Sequence, residues 1–163
     1  MFVFNLGDRH PSNIMLTTDG RLFHVDFGHI LGDYLKFGNI FTRETTSIVL
    51  VEPFLYVINN RKQNDTTEYR DFIQLCLQTF RLLRENAPSL FGLLYLIIYA
   101  RLPLLNSISN LNYLRQSLFL IGDKPCETKH AIKAYRRKIE SAQKDTRRFL
   151  DWIAHAFVHK PQR

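Results

Sequence analysis

Cysteine is scarce in this chain: Cys76 and Cys126 are the only two in 163 residues. Their spacing fits neither a zinc site nor a disulfide framework. The start of the chain carries no secretory signal, so both are expected as reduced thiols in a cytosolic protein. Long hydrophobic runs are missing too. The longest, Leu90 to Ala100, falls well short of the roughly 20 residues that cross a bilayer. Asn64-Asp65-Thr66 has the form of a glycosylation sequon, which without a signal peptide reads as a chance match. Acidic residues run short at one end only. Residues 124–163 hold 11 Lys and Arg against 4 Asp and Glu, so the entire net charge of +7 lies there, while the first 123 residues balance at 11 against 11. A basic segment of this kind suits an anionic membrane surface or a nucleic acid. No nucleic-acid motif or aromatic–basic interleaving accompanies it, which favours the membrane and sets nucleic acid aside.

The length suits one domain with a real core, and 45% hydrophobic with 23% charged residues is ordinary for a soluble globular protein. The informative stretch is Gly7 to Gly28. Asn13–Thr17 and Arg21–Val25 are short apolar-rich runs separated by Thr18-Asp19-Gly20, a strand–turn–strand pattern. Such a hairpin brings Asn13 at its start and Asp26 at its end to the same side. An amide oxygen beside a carboxylate suits a nucleotide-bound Mg²⁺, which takes oxygen ligands from one or two side chains, phosphates and water. Asp8 precedes Asn13 by the D-x-x-x-x-N spacing of kinase catalytic loops, and Asp26-Phe27-Gly28 supplies the metal-binding D-F-G. From the residues alone, Asp8 and His10 are both candidates for the base. An imidazole titrates near about 6.5, suited to taking a hydroxyl proton at neutral pH, and an ionised Asp two residues away could orient it.

Protein kinases carry H-R-D in the first motif, whereas this chain carries Asp8-Arg9-His10. D-R-H-x-x-N followed at hairpin distance by His24-Val25-Asp26-Phe27-Gly28-His29 resembles the phosphatidylinositol 3-/4-kinase superfamily, and within it the class I and II phosphatidylinositol 3-kinases. Asp151-Trp152-Ile153-Ala154-His155 is similar to their tryptophan-containing terminal helix. The resemblance implies the C-terminal lobe of a protein-kinase-like fold, mainly α-helical, with a short β-hairpin carrying the catalytic and D-F-G motifs. Residues 1–163 would then form one C-lobe: 1–28 the catalytic loop and D-F-G, 29–50 the activation loop, 51–163 the helical part. The phosphate-covering loop, the phosphate-contacting lysine and the adenine hinge have no counterpart in the chain, so the N-lobe is absent and the 163 residues alone are expected to be inactive.

The implied reaction transfers the γ-phosphate of ATP, with Mg²⁺ or Mn²⁺, to the 3-hydroxyl of a phosphoinositide. The resemblance gives His10 the base role, with Asp8 beside it and Arg9 as an ion-pair partner within the loop. Asn13 and Asp26 are the expected metal ligands, and Phe27 and Gly28 complete the nucleotide side. His29, Lys36 and Arg43 are the activation-loop residues facing the lipid head group. Only Lys36 and Arg43 are basic between Gly28 and Leu50, with Asp33 and Glu44 offsetting them. Each phosphate without a cationic partner forgoes about 1.5–3 kcal/mol, which favours phosphatidylinositol or its monophosphate over a bisphosphate. The implied setting is cytoplasmic with peripheral recruitment to an anionic membrane, a regulatory subunit being a further implied partner. The alternatives are a phosphatidylinositol 4-kinase, a related Ser/Thr protein kinase, or a non-catalytic remnant that binds a membrane or partner.

Residues 29–50 show no sustained period and read as loop. Beyond them the pattern is helical. Glu52-Pro53 opens a segment through Asn60, and Asn64–Thr67 offers caps to a helix ending near Glu85, with Tyr69, Phe72, Ile73, Cys76, Phe80 and Leu83 facing the core. Helix 90–100 is expected at the centre of the core. A helix from Ser107 to Leu120 carries Leu111, Leu114 and Leu118. The last helix, 126–158, has an apolar stripe through Ile132, Tyr135, Ile139, Ala142, Thr146, Phe149, Ile153 and Ala156, with bases elsewhere. It reads as packed on the lobe or as a membrane-surface helix. His155 and His159 stand four apart without the Glu of H-E-x-x-H, so no metal site is expected there.

Overall fold

Thr66 starts the longest helix for a local reason. Extended at φ −98° and ψ 173°, it accepts the Tyr69 amide on its hydroxyl at 3.2 Å, satisfying one orphan donor of the first turn. From there α2 (Thr67–Glu85) buries Tyr69, Ile73, Leu77, Phe80 and Arg84 at steps of three and four. The stripe is turned slightly from the expected one: Leu77 is buried, while Phe72, Cys76 and Leu83 lie half-buried on its flanks. The computed structural model describes residues 2–7, 11–33, 36–37, 41–42, 48, 50, 52–61, 66–102, 105, 108–121 and 126–144.

In chain order these hold a 3-10 turn (Pro11–Asn13), β1 (Ile14–Leu16), β2 (Leu22–His24), β3 (Lys36–Phe37), β4 (Phe41–Thr42) and α1 (Glu52–Ile58). After α2 come α3 (Ala87–Tyr99), α4 (Ile108–Ser117) and α5 (Thr128–Lys144). The expected hairpin is β1 against β2, antiparallel, pairing Ile14 with His24 and Leu16 with Leu22. The stretch read as pure loop contains a second antiparallel pair, β3 with β4, in the register Lys36 to Thr42. Two residues per strand are too few for a period to surface in the sequence. Of the last helix, Thr128–Lys144 is described, and the portion carrying Trp152, His155 and His159 lies outside the described residues.

One expectation fails. α3 is not central: Ala87 and Leu94 are its only buried residues, while Leu93, Tyr95, Leu96 and Tyr99 are exposed, Tyr99 at 88%. Its apolar residues run all round the helix, so hydrophobicity alone could not tell which side faces inward. The middle of the core is instead Phe80 of α2, Leu111, Leu114 and Leu118 of and just after α4, Ala131 of α5 and, from the start of the chain, Phe2 and Val3. Leu55, Tyr69, Ile73, Leu77 and Ile139 form a second cluster between α1, α2 and α5. Fully burying a side chain such as Phe80 contributes about 1.5–3 kcal/mol.

Residues 2–7 are built into the fold. Phe2 stacks on Tyr135 at 5.1 Å, and Tyr135 stacks on Phe80 at 4.4 Å. Ser117 Oγ donates to the Val3 carbonyl at 2.9 Å. The Leu31 amide donates to the Phe4 carbonyl at 2.7 Å and the Gly7 amide to the His29 carbonyl at 2.8 Å. The first segment is thus clamped between α4, α5 and the turn after Gly28. That clamp fixes where the chain leaves toward Asp8.

Candidate active site

The hairpin turn is self-sufficient. The Thr17 amide donates to the Arg21 carbonyl at 2.9 Å, and the Gly20 amide to the Thr17 carbonyl at 3.0 Å. Gly20 takes φ +86°, a conformation open to glycine at no steric cost. The Thr17 hydroxyl donates to Asp19 Oδ1, and Arg21 Nε lies 2.9 Å from Asp19 Oδ2. At the other end the ladder continues one step, the Val25 amide donating to the Asn13 carbonyl at 3.0 Å. Asn13 therefore opposes Val25, where opposed Cα atoms stand about 5 Å apart, and Asp26 is the next residue along. The backbones of Asn13 and Asp26 thus lie at the same end of the hairpin.

Asp26 sits at φ +63°, left-handed backbone that Asp tolerates better than most residues. Its Oδ1 accepts the Gly28 amide at 3.1 Å, a local bond that compensates the unusual dihedral. A Cβ on Gly28 would stand 3.2 Å from that same oxygen, so glycine there keeps the carboxylate uncrowded. Among the described residues Asp26 Oδ2 accepts no hydrogen bond, and the side chain is exposed. An exposed carboxylate one residue beyond the strand position opposite an asparagine suits a hard divalent cation that takes its remaining ligands from phosphate and water. The described residues contain no cluster of three or more His, Cys, Asp or Glu suited to a protein-only metal cage. Phe27 is half exposed beside this mouth, and Met15, Leu16, Leu22 and Phe23 expose an apolar hairpin surface.

Beyond Gly28, His29 Nδ1 lies 3.2 Å from Asp33 Oδ2. Asp33, an acid that offsets the loop's bases in the charge count, pairs with His29. The two residues are four apart with Gly32 between them, a spacing that a tight turn closes. Asp8, Arg9, His10 and Arg43 lie outside the described residues, and Lys36 is placed by its backbone in β3. Cys76 does not compete as a nucleophile. Burial pushes the Cys76 thiol up from its ordinary value, which keeps it protonated and unreactive. Burial likewise raises the Tyr135 phenol to about 12, with the nearby Cys76 charge a smaller cause.

A sequence model of the phosphatidylinositol 3- and 4-kinases matches residues 1–107, which span the hairpin, the turn after it and α1 to α3. The chain belongs to the phosphatidylinositol 3- and 4-kinase family. It is 32% identical over 157 residues to phosphatidylinositol 3-kinase 1 of Dictyostelium discoideum, covering 95% of this chain and 10% of that protein. It is 33% identical over 155 residues to the human phosphatidylinositol 4-phosphate 3-kinase C2 domain-containing subunit beta, covering 94% and 9%. Phosphatidylinositol 3-kinase 3 of Dictyostelium discoideum is 36% identical over 119 residues, covering 73% and 7%. The chain thus spans about a tenth or less of the length of these relatives. Kinases as a class transfer phosphate from ATP with the help of a divalent metal.

Proposed function

We propose that residues 1–163 form the C-lobe of a phosphatidylinositol 3-kinase and carry its catalytic loop, metal ligands and activation loop. The observation that carries this reading is the placement of Asn13 and Asp26 at one hairpin mouth, five and eighteen residues after Asp8. His10 takes the proton of the inositol 3-hydroxyl as its oxygen bonds to the γ-phosphorus of ATP. The bond to the β–γ bridging oxygen breaks, and ADP leaves. Asp8 orients His10, and Arg9 holds the loop. Asn13 and Asp26 would hold Mg²⁺, which would supply positive charge to offset that of the transferring phosphates. Lys36 and Arg43, with His29, meet a head group bearing few phosphates, in keeping with relatives named for phosphatidylinositol and phosphatidylinositol 4-phosphate.

The test is a chimaera in which residues 1–163 replace the homologous segment of phosphatidylinositol 3-kinase 1, since the chain spans about a tenth of that protein's length. The expected product from phosphatidylinositol vesicles is the 3-phosphate, with no turnover by the 163-residue chain by itself. A 4-phosphate product would move the assignment to the 4-kinase branch, and turnover of peptide instead of lipid would move it to the protein kinases.

The same reading places the enzyme in the cytoplasm, recruited peripherally to anionic membrane through its basic end, where each base near the surface contributes about 1 kcal/mol. Lys138 is spoken for already: its ammonium lies 4.8 Å from the Phe2 ring and 5.4 Å from the Phe119 ring. Changing Arg136, Arg137, Arg147 and Arg148 to Gln is therefore expected to weaken sedimentation with phosphatidylserine vesicles at low salt. Binding of the parent chain should fade as salt rises. Equal binding by the variant would reduce these bases to a solvated surface.

A further inference from the structure

We propose that Asp33 is a positioning residue for phosphoryl transfer: its carboxylate fixes His29 as the Nδ1-protonated tautomer, leaving Nε2 to accept a hydrogen bond from a hydroxyl of the polyol substrate. The inference rests on the reading of the hairpin mouth as the transfer site. His29 Nδ1 and Asp33 Oδ2 stand 3.2 Å apart. A carboxylate only accepts, and a neutral imidazole carries one N–H, so this contact places the proton on Nδ1 and the lone pair on Nε2.

Backbone geometry builds the pair. The Asp33 amide donates to the Ile30 carbonyl at 3.1 Å, closing a turn through Leu31 at φ +54° and Gly32 at φ +82°. α4 holds that turn from below. Asn110 Nδ2 donates to the Leu31 carbonyl at 3.3 Å, and a Cβ on Gly32 would meet Tyr113 Cδ2 at 2.9 Å. Leu31 itself is buried in the main core. At the near end the His29 carbonyl accepts the Gly7 amide, and Gly7 directly precedes Asp8. The imidazole is thus tied through its backbone to the entrance of the predicted catalytic loop and through its ring to a carboxylate. One third of its side chain is exposed, enough to reach a ligand.

An unconstrained neutral imidazole favours the opposite tautomer, with Nε2 protonated and donating. Without Asp33, His29 would offer a donor where a substrate hydroxyl also needs to donate. No proton moves to His29 in this role; it aligns the hydroxyl, and His10 takes the proton.

The test has two arms. In the ¹⁵N-labelled 163-residue chain at about pH 8.5, above the ordinary imidazole range, the His29 ring nitrogens, assigned by loss in His29→Gln, should report Nδ1–H. In Asp33→Ala they should move toward Nε2–H, with the amide signals of α2 and α5 unchanged. In the chimaera, Asp33→Ala should lower kcat about tenfold, the scale of losing a group that orients a histidine, with KM for ATP unchanged. A wild-type ring already protonated on Nε2, or a ratio that Asp33→Ala leaves alone, overturns the proposal. So does a tautomer shift with unchanged kcat. If Asp26→Asn keeps its turnover, the hairpin reading fails and His29 loses its place in the reaction, whereas the tautomer result still stands.

Discussion

Asp26→Asn in the chimaera is expected to lower kcat by about a thousandfold or more, and Asn13→Ala to do the same. At 1.36 kcal/mol per decade that is about 4 kcal/mol of lost transition-state stabilisation, the range observed when a charge-stabilising group is removed from a dry site. The substitution at Asp26 isolates charge from shape. Asn tolerates the left-handed backbone that Asp26 adopts at φ +63°, and its side-chain oxygen still accepts the Gly28 amide. Asp26 is exposed at the hairpin mouth and makes no contribution to either buried cluster, so the melting temperature should stay put while turnover collapses. Lipid phosphorylation by the Asn variant within about tenfold of the parent would remove Asp26 from the chemistry.

What the sequence revealed of this site follows from how local each signal is. The β1–β2 hairpin has two short apolar-rich runs and a Thr-Asp-Gly turn between them, all within 14 consecutive residues. α2 was legible through its cap at Thr66 and its stripe, and Leu111, Leu114 and Leu118 were placed correctly as core. The failures are non-local. That α3 lies at the margin depends on which neighbours cover its largely apolar surface, and nothing in so apolar a run encodes that choice. The role of Phe2 and Val3 depends on Tyr135 and Ser117, more than a hundred residues away. The Asp33–His29 pair forms across a turn, so a charge balance along the loop does not reveal it.

The largest structural surprise is a cation inside the core, and removing it should cost the fold most. Arg84, 9% exposed, sends Nη1 to the carbonyls of Leu118 and Phe119, the latter at 3.2 Å, and Nη2 to the Cys126 carbonyl at 2.6 Å. These carbonyls lie just beyond α4 and just before α5, so one guanidinium joins α2 to the link between the other two helices. Two effects favour a positive charge there: the negative end of the α4 dipole, and carbonyls that have left the helix ladder without donors. Burial pulls the guanidinium below its ordinary pKa, the opposing cost, yet an arginine remains charged at any physiological pH. Arg84→Met keeps much of the volume and strands the three carbonyls. Each bond to a charged donor is worth about 1.5–3 kcal/mol, and such bonds do not add fully, so a loss of about 3–5 kcal/mol is expected. That is a large share of the roughly 5–15 kcal/mol that holds a typical domain. Arg81→Met is the matched control, because among the described residues Arg81 on the same helix bonds only the exposed Glu85, at 2.7 Å, and its loss should leave the urea midpoint nearly unchanged. Urea unfolding of the 163-residue chain with a common m-value reads both variants. An Arg84→Met midpoint close to that of Arg81→Met would mean that water replaces the guanidinium at those carbonyls, and that α2, α4 and α5 are held by Phe80, Leu114 and Tyr135 without it.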